Sequence, residues 1–435
     1  MSPLHIAYLG ANVLVAWYLW RRVGLRLGCA MLVLSVLLLL YGPAHVSFQQ
    51  GREVNPELHA TVTVALLVMW AFLLIGLELP RWIEPAAFAR AWQVSATWKR
   101  RPLRPGFPPA TLFRPFAIFV VLLLAIDFIV EAQPGKVISY YGSVGLLEEQ
   151  ALFRQEEGGS RFYLINILIL TLAPFVSMVL LCEAVRNRTF RARALFWLSF
   201  VVVLLAKLAT LQKSPAAIYV LQLCLAYWLI RSNEVRIRPL LMALGVFLLA
   251  MVPLSLAAFP GIELGDLFSY FYYRVIEAPQ ETLENYFAVY PSQIDFLHGL
   301  GFRWLHPLIG NGDYVGSSLV VASLHDSEGA SFNALFVGDS WSDFGFAGVA
   351  LASLGLGIVA RLVDMYAFGL GKTSASVAIL ASMLFAVIYV ASASFSAGLV
   401  TGGLALVPVV AWMLRHPLMP PVRPVPASAG AGYRR

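Results

Sequence analysis

The sequence predicts an all-α protein: a polytopic integral membrane bundle of about eleven transmembrane helices, with its N-terminus outside and a large late external loop. The first observation is composition, because 59% of the 435 residues are hydrophobic and 13% are charged. A soluble domain has about 45–50% apolar and about 25% charged residues. The second observation is a series of long charge-free runs, and the third is the unequal charge of the loops between them. Together they exclude a cytosolic enzyme, a secreted disulfide scaffold and a disordered chain.

The charge-free runs define the predicted spans, since a helix needs about 20 apolar residues to cross the hydrocarbon core. The predicted spans lie near 4–20, 27–44, 59–79, 115–131, 162–182, 194–212, 214–230, 239–259, 344–363, 374–395 and 398–414. The uncharged run from Thr373 to Leu414 is too long for one helix, so a turn is predicted at 392–398. The fourth and sixth spans are the weakest, because they contain Asp127 and Lys207.

The loop charges predict the orientation. If the eleven helices alternate, 23 of the 31 Lys and Arg residues fall on one side, which the positive-inside rule makes cytoplasmic. The net charge of +7 then reflects orientation and does not indicate nucleic-acid binding. No cleavable signal peptide is expected, because Arg21 and Arg22 follow the first apolar run. Cys29, Cys182 and Cys224 lie in apolar stretches and are predicted to be buried thiols.

The chain divides into four predicted regions. Helices 1–8 with short loops occupy 1–259, an external loop occupies 260–343, the last three helices occupy 344–414, and 415–435 is a flexible cytoplasmic tail. The external loop holds eleven acidic residues against Arg274 and Arg303, so a local function is expected there. The Pro-rich stretch 81–114 and the tail are interpreted as linkers or lipid-surface contacts that could not bury a core. No internal repeat is seen, which argues weakly against an inverted-repeat transporter.

Several familiar motifs are excluded. The segment 369–373 reads GLGKT, but a P-loop would need glycine where Tyr366 stands. The chain has no HExxH, no GxSxG and no DxD pair suited to a metal-bound nucleotide sugar. The seven histidines are scattered without metal-ligand spacing. No metal site and no cofactor are therefore expected.

Cations at external membrane depth are the first candidates for function. Lys207 and Lys213 flank a short bend between two helices, where a cation is costly unless it snorkels or binds a partner. Snorkelling explains Lys213 as well as a function does. Arg274 follows the aromatic run that includes Tyr272 and Tyr273. These rings could form an interfacial belt or offer flat faces to sugars, and a guanidinium suits a pyrophosphate because it donates in a bidentate manner.

The remaining candidates lie in the same loop. Glu277 stands one helical turn after Arg274, so a local ion pair is the simple alternative to a function. Arg303 is a second candidate cation, and the histidines are possible proton acceptors near neutral pH. Asp339 and Asp343 could cap the helix that follows, or bind hydroxyls and accept a proton. The loop histidines are His298, His306 and His325.

Three segments of the chain resemble the Wzy-type O-antigen polymerases, the oligosaccharide repeat-unit polymerases. The segments are YYRVIEAP at 272–279, NYFAVYP with FLHGLG within 285–301, and NALFVGDSWSDFGFAGV at 333–349. The family pattern is an Arg after aromatics, a Tyr/Phe-Pro stretch, and an acidic turn leading to DFGxxG and a helix. The motifs cover about the last 40% of the chain, and the rest agrees in architecture. The acidic late loop departs from the family, in which external loops are basic.

The resemblance implies a reaction and a place. Such enzymes transfer a growing glycan from undecaprenyl pyrophosphate to a new lipid-linked repeat unit at the periplasmic face of the bacterial inner membrane, making O-antigen lipopolysaccharide or exopolysaccharide. Inversion without a metal is expected by analogy. The expected partners are the lipid-linked donor and acceptor, membrane lipid, a chain-length regulator and a flippase, without nucleic acid.

Site roles follow from this implied reaction. Phosphate stabilisation is assigned to Arg274 with Lys213, Arg303 or Lys207, and the base is open among His306, His325, Glu277 and Asp343. Tyr272, Tyr273 and Asp339 are expected to bind substrate. An O-antigen ligase-like transferase is the nearest alternative, a lipid-linked glycan flippase or transporter is second by class, and a receptor or structural protein is third.

Overall fold

A computed structural model describes residues 2–50, 55–98, 102–107, 113–130, 163–210, 213–232, 263–301, 316–324 and 335–415, with isolated positions at 135 and within 235–245. All regular structure in these ranges is helical. The one β-type contact among them is an isolated bridge between Arg104 and Thr373. The prediction of an all-helical protein is confirmed for these ranges.

The described chain contains sixteen helices. Three π-helical turns also occur, one after a helix, one within a helix and one between two helices. The helices are α1 Pro3–Tyr18, α2 Cys29–Tyr41, α3 Pro43–Gln50, α4 Pro56–Ile83, α5 Pro85–Ala96, α6 Phe113–Val130, α7 Tyr163–Asn187, α8 Phe190–Leu208, α9 Lys213–Arg231, α10 Leu264–Tyr272, α11 Ala278–Val289, α12 Ser317–Leu324, α13 Phe336–Gly369, α14 Ser374–Ser392, α15 Phe395–Val400 and α16 Leu406–Arg415. The π turns are Leu19–Val23 after α1, Leu168–Leu172 within α7, and Tyr273–Glu277 between α10 and α11.

Seven helical segments in the described ranges are long and apolar enough to cross a membrane. They are Cys29–Val46, Pro56–Ile83, Phe113–Val130, Tyr163–Asn187, Ser214–Arg231, Phe336–Gly369 and Ser374–Ser392. This supports a membrane-embedded protein. The predicted spans 4–20, 194–212 and 398–414 coincide with α1, α8, and the broken pair α15 and α16, while 239–259 lies mostly outside the described residues. The total of eleven stays a prediction.

Helices α4 and α13 form the centre of the bundle and pack along much of their length. Their contact depends on Gly76 and Gly357, because a Cβ on either would collide with the backbone of the other helix. Small residues allow this close approach where lipid gives helices no hydrophobic reason to associate. The predicted turn after α14 is also confirmed, since α14 ends at Ser392 and α15 begins at Phe395.

Two polar clusters mark opposite ends of this helix pair. At the first, the start of α4 meets α11, where His59 contacts Glu284; we name it the Glu284 end. At the second, the later half of α13 meets the start of α2, where Asp364 contacts Cys29; we name it the Asp364 end. Because α4 and α13 both run from the Glu284 end to the Asp364 end, they are parallel to each other.

The Asp364 end is held by buried ionic and polar groups. The two carboxylate oxygens of Asp364 accept from the backbone N–H groups of Cys29 at 2.5 Å and Ala30 at 3.2 Å. Arg361, which is 1% exposed, donates to the Leu77 carbonyl at 2.9 Å and to the Tyr18 hydroxyl at 3.1 Å. A carboxylate at a helix N-terminus is favoured by both the free N–H groups and the helix dipole.

The stretch 81–114 is more than a linker, which corrects the sequence interpretation. Helix α5 lies in it and packs against α13, and Arg26 lies 3.8 Å from the Trp92 ring centroid while donating to the Trp92 carbonyl at 3.0 Å. Trp98 and Phe107 are buried, at 1% and 5% exposure. The high Pro and charge content of this stretch hid these anchors, because a few large aromatics suffice to dock a short segment.

Two other details differ from or extend the sequence analysis. Cys224 is exposed on α9, so the expectation that all three thiols are buried is wrong for this one. The GLGKT segment has a structural role instead of a phosphate cradle: Thr373 and Ser376 form a capping box at the start of α14. Lys372 donates to the Ser232 carbonyl at 3.0 Å, and burial lowers the pKa of its ammonium group.

Candidate functional site

The segment α10–π turn–α11 carries the aromatic run and Arg274 across the Glu284 end. Phe268 and Tyr272 are 57% and 53% exposed, and Arg274 is exposed on the π turn. Together with Ser269, Tyr273 and Glu277, the first two line an open cavity of about 510 Å³. Tyr272, Tyr273 and Glu277 therefore line one surface concavity.

Arg274 lies on the π turn beside an aromatic ring. Its exposed guanidinium lies 5.9 Å from the Tyr270 ring centroid. The π turn changes the spacing on this helix, so residues three apart no longer sit one above the other as they do in an α-helix. The guanidinium is thus held against an aromatic face and remains open to a ligand.

Asp343 is bound by a tight turn and is not a helix cap, which corrects one sequence alternative. Helix α13 begins at Phe336, eight residues before the predicted start, and its N-cap Leu335 makes no side-chain cap bond. The helix breaks at Phe344 and Gly345, where Gly345 has φ of +58°. The DFG motif therefore lies at a kink inside the helix, and Gly supplies a conformation that other residues disfavour.

The FLHGLG segment packs against this kink. Asp343 Oδ1 accepts from the N–H groups of Gly299 at 3.0 Å and Gly301 at 3.1 Å. A Cβ on Gly301 would collide with the Asp343 carboxylate. Asp343 is fully buried, and its Oδ2 has no hydrogen-bond partner among the described residues. The kink thus positions one buried carboxylate oxygen that remains available.

Asp339 lies one turn before Asp343 and repeats this pattern. Its Oδ1 accepts from the Ser317 hydroxyl at 2.8 Å, and its Oδ2 has no partner in the described part of the chain. The Tyr290 hydroxyl is also buried and without a described partner, and burial, with further contributions from Asp343 and Asp339, raises the pKa of Tyr290 to about 12. The phenol therefore keeps its proton and can donate it to a neighbouring acceptor.

An aromatic cluster fixes this acidic pair relative to α11. Trp341 stacks on Phe287 with ring centroids 4.1 Å apart and donates to the Tyr290 carbonyl at 2.9 Å. Phe296 and Phe346 contact the same indole edge-on, at 5.8 Å and 5.0 Å between centroids. The NYFAVYP and DSWSDFG motifs thus meet in space.

Histidines that appear scattered in the sequence meet beneath α11, which the sequence analysis missed. His45 and His59 stack with centroids 4.3 Å apart, and His5 lies edge-on to His59 at 5.5 Å. His59 Nδ1 is 2.8 Å from Glu284 Oε1, while His45 Nδ1 is 3.0 Å from Gln280 Oε1. The three histidines are 14, 40 and 54 positions apart, so no local spacing could have revealed the cluster. Gln280 and Glu284, four apart on one helix, were the available signal.

The lysine candidates do not join Arg274 in the described part of the chain. Lys207 is fully buried, donates to the Leu170 carbonyl at 3.2 Å and lies 5.2 Å from the Phe385 ring centroid. It packs within α7, α8 and α14, whereas the π turn of Arg274 packs on α2 and α3. Lys207 and Arg274 therefore pack against different helices, and an assisting role of Lys207 stays a prediction. Lys213 begins α9, and its side chain lies outside what is described, as do Arg303, His306 and His325.

The arrangement combines three chemical elements at one end of the bundle. An exposed guanidinium beside aromatic faces can bind a phosphate and a sugar, buried carboxylates with available oxygens can accept hydroxyl protons, and a histidine–carboxylate pair can take a proton. In the described ranges no group of three or more His, Cys, Asp or Glu side chains could hold a metal ion. No family model, curated protein or solved structure matches this chain.

Proposed function

We propose that the protein is a membrane glycosyltransferase that polymerises oligosaccharide repeat units linked to a lipid pyrophosphate. The observation that carries the proposal is the segment α10–π turn–α11. It exposes Arg274 beside aromatic rings on one side and presents Glu284 to the buried His59 on the other. One segment thus offers a cation for a leaving phosphate and a proton-accepting pair.

The chemistry of the transfer agrees with these groups. A glycan on a pyrophosphate is already activated, so the protein has to stabilise the departing phosphates, orient the two sugars and remove a proton from the attacking hydroxyl. Arg274 suits the phosphates because a guanidinium donates two parallel hydrogen bonds to phosphate oxygens. Phe268 and Tyr272 offer exposed flat faces beside it. Lipid-linked substrates would reach this end from the bilayer, at the periplasmic face of a bacterial inner membrane.

The test is elongation by the purified protein. Lipid-linked repeat units extracted from the producing cells are incubated with the protein in detergent or liposomes, without nucleotide or added metal, and glycan length is read on gels. We expect a ladder of longer glycans. Arg274→Lys keeps the charge but loses bidentate donation, so the rate should fall about 10- to 100-fold. Arg90→Lys, an exposed arginine on α5, is the matched control and should elongate normally.

A transporter of lipid-linked glycans is the second candidate, favoured by charge buried at span depth. Lys207 and Asp127 are 0% and 7% exposed inside α8 and α6, and such residues often mark pathways. Movement of the lipid-linked unit between leaflets without elongation, lost in Lys207→Met, would support transport and contradict the polymerase. Normal elongation by Arg274→Lys would remove Arg274 from the site.

A further inference from the structure

We infer that His59, oriented by Glu284, is the proton acceptor of the transfer; this inference rests on the proposed function. The two side chains come from α4 and α11 and meet at 2.8 Å between Nδ1 and Oε1. His59 is 1% exposed and Glu284 is 8% exposed, so the contact is shielded from water. A histidine with its second nitrogen on a carboxylate is the arrangement that orients an imidazole for base catalysis.

The hydrogen-bond pattern assigns the available lone pair. An ionised Glu284 can only accept, so a neutral His59 carries its proton on Nδ1 and has its lone pair on Nε2. His59 Nε2 is buried and has no hydrogen-bond partner among the described residues. A buried polar atom without a partner costs about 1–3 kcal/mol. This cost is removed when a substrate hydroxyl donates to Nε2.

His45 shows what a structural histidine looks like at the same place. It stacks on His59 with an interplanar angle of 14°, yet both of its nitrogens have partners, Gln280 Oε1 and Thr63 Oγ1, each at 3.0 Å. Both ring nitrogens of His45 are thus engaged, and its ring packs against that of His59. The Nε2 atom of His59 has no partner among the described residues, whereas that of His45 has one, which makes His45 the matched control.

His5 is the half-buried neighbour of His59 at this end of the bundle. Its ring lies edge-on against that of His59, at the start of α1. Its described side-chain hydrogen bond is to the exposed Ser2.

Arg274 and Glu284 lie on the same continuous segment, Arg274 on the π turn and Glu284 on α11. The cation proposed for the phosphates and the carboxylate that orients His59 therefore move together with this segment.

The transfer couples one proton transfer to one bond exchange at the anomeric carbon. His59 Nε2 takes the proton of the acceptor hydroxyl, and the hydroxyl oxygen forms the bond to the anomeric carbon of the donor. The bond from that carbon to the phosphate oxygen breaks, and lipid pyrophosphate leaves with the electron pair. The imidazolium, paired with Glu284, later releases its proton to water. Glu284 is a positioning residue, because it acts through His59.

The experiment compares His59→Ala with His45→Ala in the elongation assay with extracted lipid-linked repeat units. Loss of a general base lowers a rate about 10²- to 10⁴-fold, so His59→Ala should lose at least about 100-fold in kcat, with KM within about threefold of the original protein. Added imidazole should restore at least about tenfold of that loss, because it fills the vacated site. His45→Ala should retain at least about a third of kcat and gain nothing from imidazole.

Glu284→Gln guards against misfolding of the alanine variants, since it keeps the shape of the side chain. It should lower kcat by about tenfold or more at unchanged KM, with a thermal unfolding temperature close to that of the original protein. The inference is overturned if His59→Ala elongates normally, or if its loss matches that of His45→Ala and imidazole restores neither. Failure of the original protein itself to elongate would instead overturn the proposed function, so the two failures are distinguishable.

Discussion

The two ends of the α4–α13 pair bury similar groups but use them differently. At the Asp364 end, both carboxylate oxygens of Asp364 are occupied by backbone N–H groups. At the Glu284 end, Asp343 and Asp339 each leave Oδ2 without a partner among the described residues, and His59 leaves Nε2. A buried polar group with all its hydrogen-bond partners stabilises the fold. A buried polar atom without a partner lowers stability until a ligand supplies the missing hydrogen bond. The contrast assigns stability to one end and ligand contact to the other.

Three atoms near the Asp364 end limit the contrast, because Arg361 Nη1, Tyr366 Oη and Arg415 Nε also lack a partner in the described chain. The Arg361 guanidinium, however, lies 5.4 Å from the Phe88 ring centroid, and its Nε and other terminal nitrogen are both bound. A ring face takes the place of a second acceptor for an arginine. The open carboxylate oxygens of Asp339 and Asp343 have no donor among the described residues, so the acidic groups of the two ends still differ.

The largest expected effect is an all-or-none difference in sidedness. In a Cys224→Ser background, Ser292→Cys at the Glu284 end should react with an impermeant thiol reagent in intact cells. Arg90→Cys on α5 should react only after lysis, because basic loops stay in the cytoplasm. Both positions are exposed, and Cys29 and Cys182 are buried and should stay silent. Labelling of Arg90→Cys in intact cells would invert the orientation and move the proposed site to the wrong face.

The next effect separates stability from activity. Asp364→Ala removes two charge-assisted bonds at the start of α2 and a carboxylate that interacts electrostatically with Arg361, so the free energy of unfolding should fall by about 3 kcal/mol. Asp343→Asn keeps an oxygen for Gly299 and Gly301, and should cost less than about 1 kcal/mol. Its elongation rate should nevertheless fall at least about tenfold, because an amide offers no basic oxygen to a hydroxyl.

Denaturant titration in detergent measures the stabilities, and the ladder assay measures elongation per folded molecule. Equal stability losses in the two variants, with elongation unchanged in Asp343→Asn, would erase the distinction between the ends. Ser340→Ala is the control for a general effect of substitution in this region, because buried Ser340 lies between Asp339 and Asp343 in the sequence.

How far the sequence predicts this molecule depends on the range of the signal. Apolar runs of helical length are local, so α4, α13 and α14 follow from hydropathy alone. The exposed Arg274 beside aromatic rings is also local and was predicted. The cluster of His45, His59 and Glu284 could not be predicted. Its members come from helices α3, α4 and α11, and no rule of sequence spacing relates residues on three separate helices.

The kink in α13 shows a second limit. Sequence analysis placed the helix start at the DFG motif, because acidic and small residues before an apolar run resemble an N-cap. In the structure Phe336 already begins the helix, and Gly345 breaks it. What stabilises the break is the docking of 299–301 on Asp343, a tertiary contact that overrides the local capping preference.

Two glycines give a matched comparison of smaller size. A Cβ on Gly28 would collide with the Asp364 carboxylate, and one on Gly301 with that of Asp343. Asp364 is tied at both oxygens and cannot move, so Gly28→Ala should destabilise by about 2 kcal/mol through overpacking. Asp343 can rotate its open oxygen away, so Gly301→Ala should cost less than about 1 kcal/mol.

The same substitutions should differ in elongation. Gly301→Ala turns the Asp343 carboxylate out of its position and should slow elongation several-fold, whereas the folded fraction of Gly28→Ala should elongate normally. Denaturant midpoints and ladder rates on the two variants check this. Greater destabilisation in Gly301→Ala would show that Asp343 is as rigidly held as Asp364.

The smallest expected effect pairs one hydroxyl from each end. Thr373→Ala removes the capping-box hydroxyl of α14, and Thr63→Val removes the hydroxyl 3.0 Å from His45 Nε2. Each should lower stability by about 1–2 kcal/mol, Thr373→Ala by loss of a cap and Thr63→Val by loss of two buried hydrogen bonds, with His45 Nε2 and to the His59 carbonyl. Only Thr63→Val should also slow elongation, by no more than about threefold, because His45 then loses one of the two side-chain partners that hold its ring against His59. Equal elongation rates of the two variants, measured at equal concentrations of folded protein, would show that the stacking of His45 on His59 affects stability and not elongation.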